Sequence, residues 1–134
     1  MILEEALFSH LSGYAGLTAL VGTRIYLGKA PEGAEKPYVV FQQVSGPRIH
    51  AMGSDPTISQ PRYQFTAWAQ TLLGAKTVSV QVIAALKNYK NQLMGGANGV
   101  YIQAVLLEND GTDTYDPDTK LSGNITEFII WYEE

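Results

Sequence analysis

Residues 124–132, Asn-Ile-Thr-Glu-Phe-Ile-Ile-Trp-Tyr, constrain the fold more than any other stretch of this chain. Side chains of an extended segment point alternately to opposite faces, so Phe128, Ile130 and Tyr132 lie on one side and Ile125, Ile129 and Trp131 on the other. Both faces of this strand are therefore apolar, and both need at least partial cover. Helical cover is scarce. The one long helical period runs over residues 72–93, with Leu72, Ala75, Val78, Val82, Leu86, Tyr89 and Leu93 recurring every three or four positions. A helix of ~22 residues is ~33 Å long and covers one face of a five-stranded sheet, not two. Either the N-terminal helix packs on the second face, or another chain does.

The remaining segments read as follows. Residues 2–11 place Ile2, Leu3, Ala6, Leu7 and Leu11 on one helical face, and Ser12-Gly13 ends that helix. Residues 15–21 form a second short helical stretch stopped by Gly22. Residues 24–28 and 38–44 are strands, the second a β-branched and aromatic run. Residues 45–60 hold Gly46-Pro47, Gly53 and Asp55-Pro56 without a sustained period, which predicts a loop of about 15 residues. Residues 62–70 alternate cleanly, except that Trp68 stands on the polar face among Arg62, Gln64 and Thr66. Thr71 is the expected N-cap of the long helix and Gly95-Gly96 its stop. Residues 100–107 are a strand, and residues 109–123, rich in Asp, Thr and Gly, form a second long loop. The expected fold is α+β: a mainly antiparallel sheet of about five strands, with one long helix and a shorter N-terminal helix packed on it. At 134 residues the chain is expected to be one domain, 1–134, with one hydrophobic core.

The same residues exclude most chemistry. There is no cysteine, so disulfides, thiolate zinc sites and thiol nucleophiles are absent. The formal charge is −4 and no basic tract occurs, which disfavours a general nucleic-acid binder. The N-terminus lacks the basic and apolar regions of a signal peptide, and no window approaches the ~20 apolar residues of a membrane helix. A soluble, cytoplasmically made chain is expected. His10 and His50 stand apart with no shared motif. The acidic run Asp110, Asp113, Asp116, Asp118 fails as a calcium loop, because positions three, five and twelve from Asp110 are Thr112, Thr114 and Leu121. No serine elbow and no phosphate-cradling glycine motif is present. No catalytic, cofactor-binding or metal-binding residue is expected. What remains is surplus aromatic surface, of the kind enriched where proteins meet.

Three runs, Gly22-Thr-Arg-Ile-Tyr26, Pro37-Tyr-Val-Val-Phe-Gln-Gln-Val-Ser45 and Pro61-Arg-Tyr-Gln-Phe-Thr-Ala-Trp-Ala69, resemble the tail-completion, or tail-terminator, proteins of long-tailed bacteriophages and prophages. So do the opening residues 4–22, the stretch Tyr115-Asp-Pro-Asp-Thr119, and Phe128-Ile-Ile-Trp131. The likeness spans nearly the whole chain and is carried by the order and spacing of these runs. Lys120-Leu121 departs from it, since the family often has Gly after the Thr. The resemblance implies a structural virion protein and no enzyme. It implies a ring, typically a hexamer, that terminates the tail tube at the head-proximal end and joins it to the head connector. Such a ring is assembled in the host cytoplasm and passes DNA without reading its sequence. Partners would be further copies of the chain, the tail tube protein and the head–tail connector proteins, with no cofactor and no membrane. Interface residues are expected at Trp68 and Trp131, at Arg48, His50 and Met52 in the first long loop, and at Asp113, Tyr115 and Asp116 in the second. The competing readings are another head–tail connector ring such as a stopper, a small non-viral binding module, and a hydrolase using His50.

Overall fold

Residues 2–45 and 58–133 are described by the computed structural model. Two helices open the chain, α1 (Leu3–Ser12) and α2 (Ala15–Val21). Glu4 and Glu5 stand in the first turn of α1, where carboxylates suit the helix dipole, and the Glu5 side chain accepts from the Ile2 N–H at 3.1 Å. Three strands follow, β1 (Ile25–Leu27), β2 (Tyr38–Ser45) and the two-residue β3 (Ile58–Ser59). The second half holds β4 (Arg62–Ala69), α3 (Leu72–Leu86), β5 (Lys90–Met94), β6 (Val100–Asp116) and β7 (Leu121–Glu133). Thr71 caps α3 as expected, its hydroxyl accepting from the Gly74 N–H at 3.1 Å.

The α+β class agrees with expectation; the sheet is larger and differently joined. Its seven strands run in the order β1-β2-β4-β7-β6-β5, with β3 pairing with β7. It is mixed, because β1 lies parallel to β2 while the other pairings are antiparallel. Two expectations are corrected here. The helix predicted over residues 72–93 ends at Leu86, and residues 90–94 are a strand. Lys87 already has an extended backbone, and Asn88 takes a left-handed φ of 62°, which Asn tolerates better than most residues and which no helix continues through. The loop predicted over residues 109–123 is instead mostly strand. β6 and β7 form a long hairpin, and only residues 117–120 turn. Register shifts between Leu107 and Asn109 and between Asn109 and Thr112 absorb extra residues as bulges. The turn is held by Asp116, whose carboxylate accepts from the Asp118 N–H and from the Thr119 hydroxyl, both at 3.0 Å. Lys120 holds a left-handed φ of 59° in that turn, a conformation glycine adopts more cheaply.

All three helices pack on one face of the sheet. Leu3, Leu7 and Leu11 from α1, Leu17 and Val21 from α2, and Val78, Val82 and Leu86 from α3 share a single core with Phe41, Tyr63, Phe65, Ile102, Phe128 and Ile130. Phe41 stacks on Phe65 at 5.5 Å, and Phe65 meets Phe128 edge-on at 5.6 Å. His10 belongs to this scaffold: its Nε2–H donates to the Ala85 carbonyl at 2.6 Å and its ring packs edge-on against Tyr89. The alternative that α1 covers the second face is therefore ruled out. Among the described residues that face carries no helix.

Candidate interaction surfaces

The open face is built by the residues that alternate with the core. Ile25 and Val39 point into the core, so their neighbours Tyr26, Tyr38 and Val40 point outward. By the same parity β4 turns out Arg62, Gln64, Thr66 and Trp68, and β7 turns out Gly123, Ile125, Glu127, Ile129 and Trp131. Leu106 of β6 lies opposite Ile129 on this face and is 46% exposed. The ion pair of Arg62 with Glu127, at 3.0 Å, sits in the middle of these groups.

At one end of the face the aromatics form a row. Tyr26 and Tyr38 meet edge-on with centroids 5.9 Å apart, and Tyr38 lies opposite Trp68 across β2 and β4. Trp68 in turn lies opposite Gly123. A methyl group at Gly123 would stand 2.9 Å from the indole Cε3 and Cζ3 and 2.8 Å from the Thr114 methyl. Only a residue without a side chain lets the indole extend across β7 there. Partial burial pushes the Tyr38 hydroxyl above its ordinary pKa, with the negative Asp116 and the neighbouring Tyr26 adding to it. The structure thus gathers Trp68 and Asp116 about Tyr38.

Trp131 does not join them. It lies eight residues along β7 from Gly123, about 26 Å away in an extended strand. It pairs with Ala104, and its indole N–H is buried with no acceptor among the described residues. Asp113 and Tyr115 fall on the helix side of the sheet rather than the open side. The Asp113 carboxylate accepts from the Asn124 side chain at 2.9 Å and pairs with Lys76 of α3 at 3.6 Å. The Ser79 hydroxyl donates to the Asn124 carbonyl at 3.4 Å, so this cluster fastens the hairpin to α3. Tyr115 is exposed at the hairpin end. Arg48, His50 and Met52 lie outside the described residues. Ile129 lies on the second apolar face that the sequence predicts, whereas Tyr26 and Tyr38 were not expected there, although their alternation with Ile25 and Val39 carried that signal.

Among the described residues no group of three or more His, Asp or Glu side chains is placed to hold a metal ion. No helix among them is long and apolar enough to cross a membrane. The perturbed tyrosines are explained by packing. Burial pushes Tyr63 far above its usual range, helped by hydrogen bonding to Glu4, and burial alone raises Tyr89.

Set beside known proteins, the fold is shared with a chain from the virion of a native gene transfer agent particle. The two superpose with a TM-score of 0.69 at 20% identity, over 98% of this chain and 95% of that one. No curated protein matches the sequence. The family model of the tail completion protein gp17 matches residues 5–133. The chain therefore belongs to the tail completion protein gp17 family, whose members are structural proteins of the bacteriophage tail and not enzymes.

Proposed function

We propose that this chain forms a ring, a hexamer, that closes the finished tail tube at its head-proximal end and joins it to the head connector. One observation carries the reading: the sheet face bearing Tyr26, Tyr38, Trp68, Ile129 and Trp131 is covered by none of the three helices. Large apolar groups left half-exposed on a face of this size mark a surface for other proteins. A ring needs a heterologous contact, one patch meeting a different patch on the next copy, repeated until rotation closes it. The open face supplies one such patch. The exposed Ile2, Phe8 and Leu27, where α1 meets β1, supply another of different shape. The partners are copies of the chain, the tail tube protein and the head–tail connector proteins. DNA crosses the lumen without sequence recognition, in keeping with a net charge of −4 that gives the phosphate backbone little to hold. The place of action is the virion, after assembly in the host cytoplasm.

The test is genetic and visual. A phage or prophage carrying Ile129→Asp together with Trp68→Ala should make full heads and separate tails, with the variant protein folded and expressed. Normal joined particles from that variant would remove the open face from the assembly role.

A further inference from the structure

The longest strand of the protein leaves much of one edge unpaired. β5 pairs with β6 only from Val100 to Ala104, whereas β6 continues to Asp116. Beyond Ala104 that edge has no strand beside it among the described residues. The orientation of its backbone follows from the neighbouring ladder. The Ile130 N–H donates to the Pro61 carbonyl on the β4 side, so Val105, which stands opposite Ile130, turns its own N–H and C=O away from β7. Leu107, two residues on and opposite Phe128, does the same. Asp113, opposite the even-numbered Asn124, again turns its backbone outward beyond the bulges.

This edge is also the wall of a groove. Val80 and Ile83 of α3 stand across from Asp110, Gly111 and Asp113, enclosing about 300 Å³. Val80 is 59% exposed and Leu107, on the same side of the sheet, 44% exposed, so the groove offers apolar contact to a strand laid along it. Its charge is one-sided. Asp110 and Asp113 line the groove, Glu108 stands two residues before Asp110 on the same strand, and Lys76, already paired with Asp113, is a cation facing the groove from α3. Lys90 begins β5 at the near end.

We propose that the β6 edge from Val105 to Asp113 accepts an extended segment of a partner protein with Lys or Arg at alternate positions. Backbone hydrogen bonds to Val105 and Leu107 give the affinity, and side-chain charge gives the selectivity. The added strand docks beside α3. This inference stands on the free edge and its charge, not on the ring, so either can fail alone. Charges and bulges along an edge also serve to keep strands from pairing with it, and that is the opposing outcome.

The probe is a synthetic eight-residue peptide alternating Lys and Val, compared with its Glu-for-Lys counterpart. Amide exchange of the full chain is followed by NMR at Val105 and Leu107. Exchange at both amides should slow several-fold with the Lys peptide and stay unchanged with the Glu peptide. Leu107→Pro removes an outward N–H without touching the β6–β7 ladder, and should abolish the effect. If that variant does not fold, Glu108→Lys with Asp110→Lys decides instead, and should reverse the preference toward the Glu peptide. No slowing at Val105 and Leu107, protection surviving Leu107→Pro, or an unreversed preference would each overturn the proposal.

Discussion

At the residue scale, Gly123 and Trp68 act as one unit. The indole occupies the space that any side chain at position 123 would need, with 2.9 Å left to the nearest ring carbons. Gly123→Ala should therefore destabilise the protein by about 1–3 kcal/mol through overpacking. The cost should fall markedly in a Trp68→Ala background, a coupling that a double-mutant cycle in urea measures directly. Equal cost in both backgrounds would show that Thr114 alone sets the constraint. Tyr63 allows a second residue-scale prediction, with a defined sign. Its hydroxyl is held neutral in the fold well above the ordinary 10.0, so above that pH the unfolded chain loses a proton that the folded chain keeps. Stability should be flat in this respect below pH 10 and fall as pH rises beyond it. Tyr63→Phe should flatten that fall in thermal unfolding followed from pH 9 to 11.

At the scale of elements, two contacts meet at Asp113: a part-buried hydrogen bond that ties β6 to β7 and an exposed ion pair that ties the hairpin to α3. Asn124 is nearly buried and donates to Asp113, whereas Lys76 and Asp113 are both about half exposed. Removing a buried partner costs about 1–3 kcal/mol, while an exposed ion pair contributes about 0.2–1 kcal/mol. Asn124→Ala should accordingly lower the urea midpoint clearly, and Lys76→Ala should barely move it. A Lys76→Ala loss as large as that of Asn124→Ala would contradict this division.

These same elements show what a sequence reveals. The alternation of β4 and the doubly apolar β7 were legible because burial imposes period two on each face. The end of α3 was not, because Leu86, Tyr89 and Leu93 keep a helical spacing across the break while the backbone turns extended at Lys87 and left-handed at Asn88 and Asn91. The distal half of β6 was hidden for another reason. Its Asp, Thr and Gly residues resemble a loop because this part of the strand is an unpaired edge with bulges, where nothing demands apolar side chains. Of the candidate site, Trp68 and Trp131 stood out in the sequence as aromatics out of place. That Trp68 of β4 lies opposite Gly123, eight residues along β7 from Trp131, became visible only with the strand register.

At the scale of the whole molecule, the described residues put three helices on one face of the sheet and none on the other. The family gives the chain a structural role in the tail, and under the proposed function the open face is where it meets other proteins. The most direct test of the ring is its mass. Native mass spectrometry and light scattering should be run on the purified chain over a range of concentrations, alone and with tail tubes. A hexamer, or a monomer that becomes a hexamer on tube ends, is predicted, with Ile129→Asp weakening it. A protein that stays monomeric throughout and leaves the tube ends bare would contradict the account.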